Sequence, residues 1–380
     1  MASLYLHIPY CEHKCIYCDF YSVENMNSME RFLQALQQEI IFRGEEFAPK
    51  ESIETIFFGG GTPSLLSPQA MEKILGTVLK YFQVDADAEI TTEANPGTVT
   101  REKLRAYRSL GINRISFGVQ SFHSDELKFL TRIHSAEEAE QAVRDAYAAG
   151  FDNVSLDLIF SLPNQTPEKW NETLARAAAL QPKHISAYSL IVEDNTPLSV
   201  MVKNKLVAPL PEDIDAAIYE STMEQLSRFG FQQYEISNYA LPGFESRHNK
   251  NYWNHTNYLG FGPSAHSFWR EEPLTGTRWW NVRSIQSYCG HLEEKKNPVS
   301  GNEQLTKETL LNEEIFLGLR SSGIRLDVLA NIFQTDFLKT NEAKVHDYLS
   351  RGLMKQENNT LSLTAKGYVL CDAIAESFIV

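Results

Sequence analysis

Six short, apolar, β-branched segments alternate with stretches of helical spacing through the first half of this chain, and no other feature narrows its fold as far. The segments lie at 3–7, 54–58, 89–93, 113–117, 153–159 and 184–191, with helical spacing over 29–42, 68–81, 101–110, 136–149 and 167–180 between them. Strands apolar on both faces that alternate with helices pair in parallel beneath those helices. Six βα units therefore predict an α/β fold, a partial (β/α)6 TIM-like barrel that stops short of the closed eight-stranded form. Right-handed crossovers put the C-terminal end of every strand on one face. Residues 11–18 and 59–62, Glu93, Gln120 and Asp157 all fall at or just past such ends. Far apart in sequence, they are expected to meet in space.

Beyond about residue 200 the pattern changes. Pro197, Pro209 and Pro211 interrupt it, a helix is expected over 212–229, and residues 234–280 are rich in aromatics, Asn and Gly with little periodicity. So many aromatics argue against disorder, and long irregular segments in compact proteins are commonly functional. Residues 301–380 carry helical patterns at 307–320, 326–333 and 341–351, a short strand pair around 354 and 361–363, and a last helix over 364–377. The expected organisation is a barrel core over 1–235, a connecting region over 236–300 and a C-terminal helical, winged-helix-like domain over 301–380. Winged helices often bind DNA, but this one holds 8 Lys and Arg against 11 Asp and Glu, in a chain of net charge −14. That balance does not suit a phosphate backbone, so packing or partner docking is expected and nucleic acid is not. No apolar run reaches the length of a membrane span, and the start lacks a basic, apolar leader, which predicts a cytoplasmic protein.

Of five cysteines, three crowd into Cys11-x3-Cys15-x2-Cys18, while Cys289 and Cys371 stand alone. An odd, clustered set is not a disulfide framework. Thiolates are soft ligands that suit iron–sulfur clusters, zinc or copper(I). Three of them leave one iron of a four-iron cluster without a protein ligand, and a chemically active metal keeps such a position for its substrate. Electron-carrier clusters are usually closed by a fourth cysteine, and none lies nearby. The alternative is a structural zinc with His7 or His13 as fourth ligand, although such sites usually draw on two separated knuckles.

The cysteine spacing, with Tyr17 before the last cysteine, resembles the signature of the radical S-adenosylmethionine superfamily. Gly59-Gly60-Gly61-Thr62-Pro63 after the second strand resembles that superfamily's segment facing the cofactor's methionine amino group. Glycines there allow positive φ and a close approach of backbone to ligand. The resemblance implies a [4Fe–4S] cluster on Cys11, Cys15 and Cys18, an electron donor for it, and S-adenosylmethionine chelated to the open iron. It also implies reductive cleavage of that cofactor to methionine and a 5′-deoxyadenosyl radical.

The match continues through Leu4-Tyr5-Leu6-His7-Ile8-Pro9-Tyr10-Cys11, Thr92-Glu93-Ala94-Asn95-Pro96, Ser116-Phe117-Gly118-Val119-Gln120-Ser121-Phe122, Arg132 and Asp157-Leu158-Ile159. These resemble the oxygen-independent coproporphyrinogen III oxidase-like family. By that resemblance Tyr5, Tyr17, Gly60, Gly61, Thr62, Glu93, Gln120, Arg132 and Asp157 line the S-adenosylmethionine pocket. Arg132 suits a carboxylate through its fork, and Glu93 and Asp157 can accept from hydroxyl or ammonium groups. Each has a plainer alternative: a surface cation for Arg132, a cap for Glu93.

That family divides into true oxidases, which decarboxylate coproporphyrinogen III to protoporphyrinogen IX, and a branch of heme chaperones. Phe20, where the oxidases typically carry another cysteine, points to the second branch, as do the only four residues before Tyr5, where the oxidases carry an extension. His248-Asn249-x-x-Tyr252-Trp253 resembles the motif implicated in heme binding in that branch, and 260–267 follows it as there. Imidazole is a good axial ligand for heme iron, and Tyr and Trp offer flat apolar faces to a porphyrin. The plainer alternative is a His-Asn pair bracing a loop; His255 and His266 are further ligand candidates. The resemblance implies a chaperone that passes heme to a recipient hemoprotein or heme-dependent enzyme more than a coproporphyrinogen oxidase. A homodimer is compatible with it.

Overall fold

The computed structural model describes residues 1–379. The chain lays down β1 (Ala2–Ile8), α1 (Met29–Phe47), β2 (Ile53–Gly60), α2 (Pro68–Tyr81), β3 (Val84–Ala94), α3 (Arg101–Ser109), β4 (Arg114–Gln120), α4 (Ser124–Phe129), α5 (Ala136–Ala148), β5 (Asn153–Phe160), α6 (Pro167–Ala179) and β6 (His184–Ser189). β1 to β6 pair in parallel in sequence order, as the alternation predicts. Helix starts are written locally. Ser67, Thr100, Ser135 and Thr166 each accept a hydrogen bond from the backbone three residues on, and Ser135 with Glu138 makes a reciprocal capping box.

The two faces of each strand differ in kind. On β4, Ile115, Phe117 and Val119 are buried in the helix-covered core, whereas Arg114, Ser116, Gly118 and Gln120 border an internal cavity. The barrel interior is thus a polar chamber rather than a packed centre, and the hydrophobic core lies between strands and helices.

After β6 come α7 (Pro197–Lys203), α8 (Glu212–Arg228), β7 (Gln232–Gln233) and β8 (Asn238–Ala240). The region that shows little periodicity in sequence is largely ordered as α9 (Arg247–Trp253), β9 (Tyr258–Phe261), β10 (His266–Glu272), β11 (Thr275–Asn281), α10 (Ile285–Glu293) and β12 (Val299–Leu305). β9 adds in parallel to β1, and β10, β11 and β12 follow antiparallel, so the sheet has 12 strands in the order β12-β11-β10-β9-β1-β2-β3-β4-β5-β6-β8-β7. In β10, burial on both faces erased the alternation. Neighbours Phe268 and Trp269 on β10 are both buried, one in the C-terminal core and the other in the barrel core.

The C-terminal unit holds α11 (Lys307–Leu319), β13 (Ile324–Arg325), α12 (Leu326–Asn331), α13 (Phe337–Thr340), α14 (Glu342–Ser350), β14 (Met354–Glu357), β15 (Thr360–Leu363), α15 (Ala365–Tyr368) and α16 (Cys371–Phe378). Helices around a three-stranded antiparallel sheet, ordered β13-β15-β14, give the winged-helix-like form. The single helix expected over 364–377 is broken at Leu370, whose backbone leaves helical geometry. An ion-pair cluster joins this unit to the barrel: His255 lies 2.9 Å from Glu313, and Arg278 grips the same carboxylate at 2.8 Å. Among the described residues no helix is long and apolar enough to cross a membrane.

Candidate functional site

β1 runs directly into the cysteine loop, and backbone bonds fix its base. Cys11 donates to the Val23 carbonyl at 3.0 Å, Val23 to the Pro9 carbonyl at 2.9 Å, and Cys18 to the Cys15 carbonyl at 3.2 Å. The 60–62 segment zips onto the same loop, with Gly61 N–H to the Ile8 carbonyl at 2.9 Å and Thr62 N–H to the Tyr10 carbonyl at 2.7 Å. Glycine is required at both positions. A Cβ on Gly60, whose φ is +105°, would meet the His7 ring at 2.4 Å, and one on Gly61 would meet the Tyr10 carbonyl oxygen at 2.5 Å.

Cys11, Cys15 and Cys18 are free thiols, the first two buried and the third half-buried. The Thr62 hydroxyl donates to Cys11 Sγ at 3.5 Å and Arg132 Nη1 to Cys15 Sγ at 3.6 Å. Burial pushes the Cys18 thiol up to about 11, so it ionises readily only against a cation or metal. Three soft ligands in one loop, with a hydroxyl and a guanidinium turned to their sulfurs, fit an iron–sulfur cluster. The described residues offer no group of three or more His, Cys, Asp or Glu arranged on a single metal ion.

A cavity of about 1230 Å³ opens beside this loop at the C-terminal ends of the strands. That exceeds the usual ~300–1,000 Å³ of a small-molecule pocket. Tyr5, Tyr17, Cys18, Gly60, Gly61, Thr62, Glu93, Gln120, Arg132 and Asp157 all border it; of the three loop cysteines, Cys11 and Cys15 do not. Arg132 is no surface cation. Its Nη2 donates to Asn95 Oδ1 at 2.6 Å and to the Gly118 carbonyl at 2.7 Å, while its buried Nε has no partner. Glu93 accepts from Gly60 N–H at 3.2 Å; burial, then Asp157, pushes its carboxyl up to about 8. Burial also raises Asp157, against the hydroxyl of Ser116 donating at 3.0 Å. His7 Nε2 must donate to the Tyr21 carbonyl at 2.8 Å, and burial keeps the ring neutral, with a pKa down to about 4. Its Nδ1 is therefore the acceptor for the Tyr5 hydroxyl at 3.1 Å, which leaves the Tyr5 oxygen lone pairs for a donor in the cavity.

The His248 motif lies at the other end of the barrel. α9 crosses the N-terminal ends of the strands, where Glu89 accepts from the backbone N–H of Arg247 at 3.1 Å and of His248 at 3.0 Å. His248 Nδ1 bonds Thr55 at 2.7 Å, its Nε2 lies 3.3 Å from the Tyr252 hydroxyl, and its ring stacks on Phe57 at 4.9 Å. His248, Asn249 and Tyr252 border the cavity from below; Trp253, half-buried, does not. Burial holds His248 neutral, with a pKa down to about 3. His255 is committed to Glu313 and Glu314; burial disfavours its charge, but those two carboxylates outweigh burial and raise its pKa. His266 stacks on Trp280 at 5.8 Å and does not border the cavity.

Several cavity residues escape a reading of the sequence. Arg114, Ser116 and Ser186 line the barrel, and Arg320 with Tyr368 and Cys371 close it from the C-terminal unit. For Arg114 a signal was present: it is the one charged residue of its strand, RISFGVQ.

The profile of the Radical SAM superfamily matches residues 5–177, and that of the HemN C-terminal domain matches 305–370. The chain is 35% identical over 384 residues to the heme chaperone HemW of Bacillus subtilis (strain 168), covering 100% of this chain and 99% of that one. It is 42% identical over 272 residues to the heme chaperone HemW of Escherichia coli (strain K12), covering 70% and 69%. With the mitochondrial radical S-adenosyl methionine domain-containing protein 1 of Bos taurus it shares 35% over 333 residues, 84% of this chain and 73% of that one. Among solved structures, coproporphyrinogen III oxidase (HemN) from Escherichia coli, a radical SAM enzyme, superposes with a TM-score of 0.84 at 24% identity, over 100% of this chain and 90% of that one. The two share the fold through barrel and C-terminal unit.

Proposed function

We propose, from the premise that this chain belongs to the HemW family of the radical S-adenosylmethionine superfamily, that it holds a [4Fe–4S] cluster on Cys11, Cys15 and Cys18, binds S-adenosylmethionine in the barrel mouth and delivers heme to a recipient hemoprotein or heme-dependent enzyme. The observation that carries this reading is the convergence of Cys18, the 60–62 backbone, Glu93, Arg132 and Asp157 on one cavity. When bound, a cluster with one open iron supplies a chelation point for the cofactor and an electron, received from an external donor.

The chain's own part is positional. Thr62 and Arg132 stabilise the thiolates of Cys11 and Cys15, as donors to metal-ligating groups do. Seven carboxylates border the cavity (Asp19, Glu93, Asp157, Glu193, Glu212, Asp215 and Asp372) against Arg114, Arg132 and Arg320. That balance suits a cofactor whose sulfonium and ammonium outnumber its carboxylate. A cation bound beside Glu93 selects its ionised form. Below its raised pKa of about 8 the proton must leave on binding, so affinity falls with falling pH. S-adenosylmethionine, whose own α-amino group titrates at about 8, is expected to bind about tenfold more tightly at pH 7 than at pH 6, from the fraction of Glu93 ionised. Calorimetry in two buffers of different ionisation heat checks this; an affinity flat across that range, with no proton released at pH 7, refutes it.

Heme is proposed to lie against α9. Neutral His248 is the proposed axial ligand, exchanging its long contact with the Tyr252 hydroxyl for iron, with Tyr252 and Asn249 beside the macrocycle. The second reading is oxidative decarboxylation of coproporphyrinogen III, favoured by the fold shared with that oxidase. Phe20, 60% exposed where the oxidases typically carry a cysteine, weighs against it. Anaerobic reconstitution with iron and sulfide, then heme titration, is the test. Saturable binding that weakens at least about tenfold in His248→Ala is expected, without coproporphyrinogen consumption under reductant and S-adenosylmethionine. A wild type that does not bind heme sinks the chaperone reading. Turnover to protoporphyrinogen would put the second in its place.

A further inference from the structure

The deep end of the cavity holds a charge that the cofactor site does not use. Arg114, the first residue of β4, is 2% exposed and borders the cavity. Its Nε has no hydrogen-bond partner, and among the described residues no carboxylate stands within 4.0 Å of its guanidinium. Its charge reaches His184, Tyr234 and His248 around the floor, and Glu93 and Asp157 toward the mouth. The acids among them are satisfied elsewhere, Glu93 by Gly60 N–H and Asp157 by Ser116. In the strand register Arg114 sits between Thr91 and Asn153, whose Oγ1 and Oδ1 are also buried without partners. Three adjacent positions across β3, β4 and β5 thus carry unmet polar atoms. Buried charges in folded proteins are paired, and buried polar groups are hydrogen-bonded.

We infer that Arg114 anchors a carboxylate of a ligand seated at the barrel floor. The inference rests on the cofactor-and-heme reading above, and it adds a recognition residue that reading lacks. A guanidinium takes a carboxylate through two parallel bonds. The carboxylate has two sources, a porphyrin propionate or the methionine carboxylate of S-adenosylmethionine. The rim, with Asp19, Glu193, Glu212 and Asp372 exposed, gives an incoming carboxylate no attraction. Discrimination in favour of an acid therefore falls to the floor. Arg132 does not compete there, since it stands over the cysteine loop, with Nη1 on Cys15 Sγ and Nη2 on Asn95 and Gly118.

Two ligand pairs separate the sources. Cluster-loaded wild type, Arg114→Met and Arg114→Gln are titrated with heme and heme dimethyl ester by absorbance, and with S-adenosylmethionine and its decarboxylated analogue by calorimetry. Methionine replaces a buried, unpaired charge with an apolar chain of similar reach, an exchange that proteins tolerate well. Iron content and circular dichroism report that both variants are folded. In the wild type, one pair is expected to show the acid form bound about ten- to a hundredfold more tightly than its neutral counterpart. Both variants are expected to lose that preference, and the pair affected names the source. If heme and its ester both fail to bind wild type, the heme reading falls and the S-adenosylmethionine pair alone decides the role of Arg114. A wild type without preference in either pair, or variants that keep the full preference, overturns the assignment.

Discussion

Alanine at Cys11, Cys15 or Cys18 is expected to leave protein reconstituted anaerobically with iron and sulfide nearly colourless, while alanine at Cys289 or Cys371 leaves its cluster absorbance at the wild-type level. The loop supplies three thiolates, and no fourth cysteine stands beside them to substitute for a missing one. By the scale of zinc-finger sites, where four ligands together contribute about 10–16 kcal/mol, each thiolate is worth roughly 3 kcal/mol, or about a hundredfold in affinity. Cys289 and Cys371 are packed in the barrel core and the C-terminal core, so their loss is a packing change. Iron and sulfide assays decide the matter. Normal loading in any one of the three variants removes that residue from the ligand set, and wild type that takes up zinc in preference to iron and sulfide returns the site to the structural alternative.

Gly61→Ala is expected to be the most damaging change of a single methyl group near the site. The new Cβ would lie 2.5 Å from the Tyr10 carbonyl oxygen and 2.8 Å from backbone atoms of Ile8 and Tyr10, none of which can swing aside. Relief requires the segment to part from the loop, breaking the Gly61 and Thr62 hydrogen bonds at 2.9 and 2.7 Å that tie it there. Two backbone bonds and the overpacking together cost about 3 kcal/mol. That lowers Tm by roughly 4 °C and reduces cluster loading, because the displaced backbone belongs to the loop bearing the thiols. Gly97→Ala is the matched control, since nothing lies within 4 Å of its would-be Cβ. Equal melting of the two variants would show that the close packing of 61 against the loop is not needed.

The parallel half of the barrel was legible because its strands obey one rule, apolar runs between amphipathic helices, and strand ends then fixed where Thr62, Glu93, Gln120 and Asp157 would gather. β10 was not, since Phe268 and Trp269 show how a strand buried on both faces loses its period. The His248 motif was visible as a motif but not as a place. Its position depends on α9 hydrogen-bonding to Glu89, more than 150 residues earlier, a contact with no local trace. Arg114 was readable only as the one charge of its strand; its neighbours Thr91 and Asn153 became relevant once the register was known.

α9 seals one end of the barrel, and the consequence concerns time rather than space. A chamber with its floor closed and its cofactor position near the mouth is a stack: what lies deepest must enter first and leave last. On the proposed reading, a guest resting on α9 would be locked in while S-adenosylmethionine is bound above it and freed when that lid departs. Loading and unloading of a carrier built this way would follow the occupancy of the cofactor, so that the cargo would change hands in step with it instead of leaking away between partners.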